Sequence, residues 1–393
     1  MNPLYVVHTP EILILLAFLF ACAALPMFIF QWTTPSLVPE DHPKSRWLDG
    51  LRGLAAIMVS LNHAPFVLIN LAVVPKVFYF DPADSELLKF LGAIGVQVFF
   101  CITGLLFASK ILSEKPVDWS DFFVKRVRRI VPAYFAAALL AIAIGFWFSW
   151  PIHQDIASMV AAIPALFGFG LLPLPTLNEF NFARLLGVSW SLAIEWRFYL
   201  VLPLVYIALR KSRNFTLLSI IIFAILDLIL NGASAWVFFI PGALCSMFST
   251  REFSKNLRRG ALVLAIATIS LMFYRFGDKG IFGLEQFLNV SVIFAALTIA
   301  RPSLLTLRTL VAMGSVSYSF YLLHAMLLFL VFGAVHLYWV EISELSLARF
   351  AVLAGCTLAF ASIVSTLSFV FIERRFMQAA PMKNRKMAKP QTA

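Results

Sequence analysis

Apolar runs of about membrane-spanning length dominate this sequence. A membrane helix needs about 20 mostly apolar residues, because the hydrocarbon layer is about 30 Å thick and each helical residue rises about 1.5 Å. With 61% hydrophobic and 13% charged residues, the chain cannot be a soluble domain of ordinary composition. We predict an all-α, polytopic transmembrane helical bundle of about eleven spans. The spans are expected at 12–32, 52–74, 91–112, 130–150, 190–209, 215–230, 233–249, 261–275, 287–300, 310–335 and 346–372.

The basic residues predict how this bundle is oriented. Most of the 31 Lys and Arg residues fall in short loops between apolar runs, and such loops face the cytoplasm. Alternating the loops predicts a multi-pass integral plasma (inner) membrane protein with its N-terminus outside and its C-terminus in the cytoplasm. Because topology accounts for the net charge of +11, we predict membrane lipid, and no nucleic acid, as a partner. The basic groups are Lys44–Arg52, Lys110–Arg129, Arg210–Arg213, Arg251–Arg259, Arg301–Arg308 and Arg374–Lys389.

The run 156–174 interrupts the alternation of sides. The basic loops that end at Arg129 and begin at Arg210 both require the cytoplasmic side, yet three apolar runs lie between them. One of these runs therefore does not cross. Proline and glycine break up 156–174, and such a backbone is tolerated at membrane depth only where protein or water satisfies it. We predict that this run is a re-entrant or interfacial segment at the outer face.

Arg52 and His63 lie on one face of a predicted helix. They are eleven residues apart, which separates them by about 16.5 Å along a helix axis and by only about 20° around it. Arg52 then sits at the water boundary and His63 near the middle of the hydrocarbon. An ionisable group at that depth is costly and is commonly functional. The alternative is a structural histidine, hydrogen-bonded between helices.

Two further ionisable residues are expected at a similar depth to His63. Glu195 lies in the outer half of its span, and His324 lies about 21 Å into another. Three such residues on different helices favour a buried reaction site or a substrate pathway. As an alternative, Glu195 and Arg197 form a structural ion pair. Tyrosines 199, 318 and 321 are more often packing residues than catalytic acids.

A basic cluster precedes the predicted span at 130–150. It contains Lys125, Arg126, Arg128 and Arg129, and positive-inside anchoring explains it without any ligand. The cluster also suits phosphate groups, because arginine presents a planar fork of donors. By contrast, Cys22, Cys101, Cys245 and Cys356 lie in apolar runs without metal-ligand spacing, so we predict no metal site.

Four sequence blocks surround these polar residues, in a fixed order along the chain. They are L-D-G-L-R-G-L-A-A followed by His63, G-V-Q-V-F-F-C-I-T-G-L-L-F at 95–107, V-S-W-S-L-A-I-E-W-R-F-Y at 188–199 and G-S-V-S-Y-S-F-Y-L-L-H at 314–324. By these blocks the chain resembles the membrane-bound acyltransferase family 3, which transfers acyl groups, commonly acetyl, to sugars and other acceptors. The resemblance covers roughly 48–376. It leaves 1–47 as an extra N-terminal transmembrane helix with a cytoplasmic loop, and 377–393 as a basic cytoplasmic tail.

The resemblance implies an O-acyltransferase that moves an acyl group, most simply acetyl, from cytoplasmic acetyl-CoA to a hydroxyl of a glycan or lipid-linked sugar. It implies that Arg52 faces the acyl-CoA and that His63 acts at the chemistry, as general base or as transient acyl acceptor. We expect Arg126, Arg128 and Arg129 to help hold the phosphates of acyl-CoA.

The remaining candidates receive supporting roles. We expect Glu195 to orient or charge-balance His63, and His324 to handle protons. Arg197 and Tyr318 are expected to polarise the thioester or to support the site. A different class of function stays open on the residues alone: a secondary transporter or proton-coupled exporter could use the same buried His and Glu residues as a proton relay.

Overall fold

The fold is almost entirely helical. It is a computed structural model in which residues 5–38, 45–80, 82–113, 116–274 and 280–378 are described. The helices are α1 (Thr9–Thr33), α2 (Arg46–Asn70), α3 (Pro82–Ile111), α4 (Trp119–Phe148), α5 (Ile156–Phe167), α6 (Ala183–Leu186), α7 (Trp190–Lys211), α8 (Arg213–Asn231), α9 (Phe239–Ser246), α10 (Lys255–Tyr274), α11 (Leu284–Ala300), α12 (Arg308–Tyr338), α13 (Leu347–Ser368) and α14 (Arg374–Gln378). A π-helical turn, Phe369–Glu373, joins α13 to α14.

Two pairs of very short strands complete the described elements. Strand β1 (Tyr5–Val7) pairs in parallel with β2 (Phe78–Phe80), which ties the N-terminal segment to the loop between α2 and α3. Strand β3 (Thr176–Leu177) pairs antiparallel with β4 (Phe180–Asn181). Neither pair forms a layer of the core.

The helices confirm the predicted all-α polytopic bundle. Within the described ranges, nine helices are long and apolar enough to cross a membrane. Two predicted spans, 233–249 and 287–300, correspond to shorter apolar helices, Trp236–Ser246 and Leu284–Ala300. The total of about eleven spans therefore stays a prediction. Helix α3 also begins at Pro82, before the predicted span at 91–112, and Lys89 pairs with Glu86 at 2.5 Å in its first turns.

The segment predicted to be re-entrant contains a helix too short to span a bilayer. Helix α5 has 12 residues, or about 18 Å, and the chain then turns through left-handed conformations at Phe169 and Gly170 (φ 55° and 74°). The Tyr134 hydroxyl of α4 donates to the Leu166 carbonyl of α5 at 3.1 Å, which anchors the segment to the bundle. That it enters and leaves by the outer face stays a prediction.

Contacts between helix ends sort the bundle into two sides. On one side, the Arg308 guanidinium at the start of α12 lies 4.7 Å from the ring centroid of Trp32 at the end of α1. On the other side, the rings of Trp147 and Tyr338, at the ends of α4 and α12, stack with centroids 6.2 Å apart. These contacts agree with the predicted alternation of α1, α4 and α12. Which side faces the cytoplasm stays a prediction from the basic residues, and the predicted tail lies outside the described residues beyond Gln378.

Helix α1, predicted to be an addition to the acyltransferase domain, packs into the bundle. It lies against α13, where the Ser362 hydroxyl donates to the Ala23 carbonyl at 2.7 Å. It also reaches α12, where the Thr309 hydroxyl lies 3.3 Å from Gln31 Oε1. The N-terminal helix is therefore continuous with the core that surrounds α12.

Helices α2 and α12 approach each other so closely that glycine is required at their contact. A Cβ atom on Gly314 would lie 1.9 Å from the Asp49 carbonyl oxygen, and one on Gly53 would lie 2.1 Å from the Leu310 carbonyl oxygen. Small residues allow such backbone contact between membrane helices. Because His63 and His324, further along both helices, also meet, the two helices run in the same direction from this contact.

We expect Gly314→Ala to lower the free energy of unfolding by roughly 2–4 kcal/mol, because the new methyl group would force α2 and α12 apart. Thermal unfolding of the purified protein in detergent measures this. Gly260→Ala in α10 is the matched control, since a Cβ there meets no atom within 4 Å. Equal unfolding temperatures for the two variants would contradict the proposed backbone contact.

Candidate active site

A cavity of about 90 Å³ lies between α2, α3, α4, α7 and α12. It brings together five of the residues predicted from the sequence to belong to the site, and its wall is otherwise largely aromatic and aliphatic. The polar side chains in its wall are Arg52, Arg126, Arg129, Glu195, Thr103, Ser191, Ser317, Tyr199, Tyr318 and Tyr321.

Three arginines make the cavity cationic. Arg52 of α2 is held by Asp49, one turn earlier, with 3.2 Å between Nη1 and Oδ1. The Arg126 guanidinium of α4 lies over the Phe107 ring at 5.0 Å, and its buried Nε has no hydrogen-bond partner among the described residues. Arg129 enters the same wall one turn later on α4. Three guanidinium groups around one small cavity are suited to bind an anion with several oxygen atoms.

Glu195 faces this cavity. Its carboxylate accepts a hydrogen bond from the Tyr199 hydroxyl, one turn further along α7, and lies 3.5 Å from the Thr103 hydroxyl of α3. The rotation of α7 therefore directs Glu195 and Tyr199 towards α3 and α4. That Glu195 orients or charge-balances His63 stays a prediction, which these contacts do not support.

Arg197 and Arg128 do not line the cavity. Arg197 is exposed, because it lies two residues after Glu195 and two helical residues are about 200° apart around the axis. The same geometry argues against the alternative of a Glu195–Arg197 ion pair. Arg128 is partly exposed on α4, between the two arginines that do line the cavity.

His63 and His324 form a pair between α2 and α12. Their ring centroids are 4.9 Å apart, with the planes inclined at 60°. His324 is fully buried, and its Nδ1–H donates to the Phe320 carbonyl at 2.8 Å, since a carbonyl oxygen only accepts. Its Nε2 is buried without a hydrogen-bond partner among the described residues. The lone pair of His324 Nε2 is therefore available for a proton.

Tyr321 separates the histidine pair from the cationic cavity. Its ring lines the cavity and its centroid lies 6.1 Å from that of His324. Its hydroxyl is fixed at the start of α7, because it donates to the Val188 carbonyl, just before this helix, at 3.1 Å and lies 2.7 Å from the Ser191 hydroxyl within it. From the sequence alone, Tyr321 and Tyr199 are expected to be packing residues. The signal that could have identified Tyr321 is its position one turn before His324.

Tyr318 lines the cavity as predicted for a site residue, but its hydroxyl is already bonded. It donates to the Ile130 carbonyl of α4 at 2.9 Å, which joins α12 to α4 beside Arg129. Its immediate role is to hold the wall of the cavity together.

The described side chains of this region do not meet the requirements of a metal site. Among the residues that the structure describes, no three His, Cys, Asp or Glu side chains lie close enough to share a metal ion. The chemistry available from these side chains is anion binding by the arginines and proton transfer by the histidines.

We expect His324→Leu to unfold at the same temperature as the wild type or at a higher one. Its free energy of unfolding should rise by up to about 1 kcal/mol, because the substitution removes a buried nitrogen that has no partner among the described residues. Phe329→Leu on the same helix, a buried apolar position, is the control and should be destabilised by about 1 kcal/mol. Thermal unfolding in detergent compares the two. A large loss of stability in His324→Leu would mean that His324 is mainly a structural residue.

Comparison with known proteins gives a family match over most of the chain. The model of a family described as "Acyltransferase domain" matches residues 45–366. No solved structure matches the chain.

Curated relatives are similar to parts of the chain. O-acetyltransferase OatA of Staphylococcus aureus is 26% identical over 322 residues, which are 70% of this chain and 49% of OatA. The putative peptidoglycan O-acetyltransferase YrhL of Bacillus subtilis is 26% identical over 197 residues, 47% of this chain and 28% of YrhL. Peptidoglycan O-acetyltransferase OatA of Listeria monocytogenes is 25% identical over 209 residues, 50% of this chain and 29% of its own length. The chain thus covers about half or less of each of these relatives.

Proposed function

The chain belongs to the acyltransferase family whose model covers residues 45–366, as its four sequence blocks predicted, and from this premise we propose that it is an integral-membrane O-acyltransferase. It takes an acyl group, most simply acetyl, from acyl-CoA on the cytoplasmic side. It delivers this group to a hydroxyl of a glycan or lipid-linked sugar. The observation that carries the proposal is the position of the cationic cavity next to a pair of histidines, of which His324 is buried and His63 half-buried.

The arginine cavity is the proposed site for the donor's phosphate groups. Arg52, Arg126 and Arg129 supply charge and directed N–H donors, and the buried Nε of Arg126 has no protein partner among the described residues. Arg52 and His63 are about 16.5 Å apart along α2, a distance that the extended pantetheine arm of CoA can bridge. The thioester would then reach the level of Tyr321 and the histidines.

His63 is the proposed group at the reacting atoms, and two routes are open to it. As a general base, it removes the proton of the acceptor hydroxyl while the oxygen attacks the thioester carbon. The C–S bond breaks, and the CoA thiolate takes up the proton. Alternatively, the unprotonated His63 nitrogen attacks the thioester carbon, the C–S bond breaks, and the CoA thiolate takes up the other imidazole N–H proton. The acyl-imidazole then passes its acyl group to the acceptor hydroxyl, whose proton returns to the imidazole.

His324 is the proposed proton partner of His63. Its Nδ1–H is committed to the Phe320 carbonyl, whereas its Nε2 is unpartnered among the described residues and lies in the ring that packs against His63. A nitrogen with this geometry can accept a proton as the charge on His63 changes. Tyr321 would separate the two ends of the reaction and keep water from the thioester.

The proposed acceptor is a glycan hydroxyl on the outer side of the membrane. The Listeria relative is named a peptidoglycan O-acetyltransferase, and the Bacillus relative a putative one, so peptidoglycan is the first acceptor to test. Lipid-linked sugars present the same chemistry and are included. The proposal retains a plasma (inner) membrane location with the N-terminus outside and the C-terminus in the cytoplasm.

We expect His63→Ala to lose transfer by at least roughly a hundredfold, because a positioned general base contributes about 10²–10⁴, while CoA binding is retained. The measurement is transfer of label from radiolabelled acetyl-CoA to crude envelope glycan by the purified full chain in detergent, with the wild type in parallel. Full activity in the variant would remove His63 from the mechanism. If the wild type neither transfers label nor binds CoA, the transporter alternative is favoured.

We expect Arg52→Ala to weaken CoA binding by about ten- to a hundredfold, the cost of losing a charged hydrogen-bonding group. Arg197→Ala is the matched control, since Arg197 is exposed on the same bundle but outside the cavity, and its CoA affinity should stay within about twofold. Isothermal titration with CoA measures both. Unchanged affinity in Arg52→Ala would limit its role to membrane topology.

A further inference from the structure

Glu195 is the one acidic side chain in the wall of a cavity that also contains three arginines. It belongs to the described part of α7, and both of its hydrogen-bonding neighbours, Tyr199 and Thr103, are uncharged. Its carboxyl group lines the same cavity as Arg52, Arg126 and Arg129. Its described hydrogen-bonding partners do not include His63.

Without Glu195, the cavity would contain three guanidinium groups and no carboxylate among the described residues of its wall. Like charges repel strongly where protein excludes water. Among the described residues, Asp49 forms an ion pair with Arg52 only. The Tyr199 hydroxyl, which is fully buried, fixes the carboxylate in the wall. A carboxylate held in this way balances part of the arginine charge when no other anion is present.

A phosphate group entering the cavity meets this carboxylate as a competitor. Phosphate and carboxylate attract the same guanidinium groups and repel each other. We propose that Glu195 is the internal counter-anion of the arginine cavity, that the phosphates of the acyl donor replace it in this role, and that Glu195 thereby limits donor affinity. The inference rests on the proposed function, because it takes a CoA thioester as the donor.

The proposal gives Glu195→Gln two opposite effects. The amide has nearly the same shape but no charge, so the protein without ligand should unfold at a lower temperature than the wild type. The same variant should bind CoA roughly three- to tenfold more tightly, with a steeper dependence of affinity on salt. A catalytic or purely structural role for Glu195 does not predict tighter binding.

The experiment is titration calorimetry of the full chain in detergent with two probes, CoA and pantetheine. Pantetheine has no phosphate groups, so its binding should be the same in the wild type and in Glu195→Gln. Glu86→Gln is the control that removes one negative charge from an exposed side chain outside the cavity wall, and it should bind CoA within about twofold of the wild type. Tighter CoA binding in Glu86→Gln, equal to that in Glu195→Gln, would overturn the assignment to the charge at Glu195.

Glu195→Gln is also tested in combination with a second substitution, in case the single variant does not fold. Arg126→Gln removes one cation, and adding Glu195→Gln to it restores the charge balance of the wild type. The double variant should bind CoA roughly three- to tenfold more tightly than Arg126→Gln alone. Equal or weaker binding in the double variant would overturn the inference.

Different results would contradict the proposed acyltransferase function and the inference about Glu195. If the wild type binds CoA, Arg52→Ala weakens that binding and Glu195→Gln does not strengthen it, only the role of Glu195 is overturned. If the wild type does not bind CoA at all, the proposed function and this inference are overturned together.

Discussion

The direct backbone contact between α2 and α12 determines the arrangement of the whole site. Gly53 and Gly314 remove the side chains that would hold the two helices apart, so the helices touch along a seam in the middle of the bundle. Arg52 lies beside this seam, and His63 and His324 meet further along it. The glycine contact thus brings α2 and α12 together at one end of the seam, and the two imidazole rings lie 4.9 Å apart further along it.

The site separates two groups of polar side chains. The arginines, Glu195 and Tyr199 surround the cavity, whereas the histidine pair lies on the other side of Tyr321. In a medium with little water, charges need partners and neutral groups need hydrogen bonds. The arginines have two carboxylates and an aromatic ring as partners. His324 has a backbone carbonyl as the partner of its Nδ1–H. Its Nε2, which has no partner among the described residues, is the nitrogen available for reaction.

The sequence predicted the parts of this arrangement that depend on a single helix. Apolar length predicts the helices, and the 3.6-residue period places Arg52 and His63 on one face. The same period implies that Glu195 and Arg197 cannot both face the cavity. It does not predict the partner of Glu195, because the rotation of α7 depends on packing against helices far away in the chain. Short helices such as α5 and α9 were likewise predicted only as apolar runs, because length and Pro or Gly content do not specify where a helix ends.

The seam between α2 and α12 has a further property that concerns spacing. His63 follows Gly53 by ten residues, and His324 follows Gly314 by ten residues. Because the two helices run in the same direction from the glycine contact, the equal intervals bring both histidines to the same height, about 15 Å above it. The insertion or loss of a single residue in either interval would turn one histidine by about 100° and shift it by about 1.5 Å, so these two stretches of sequence are constrained in length as well as in composition.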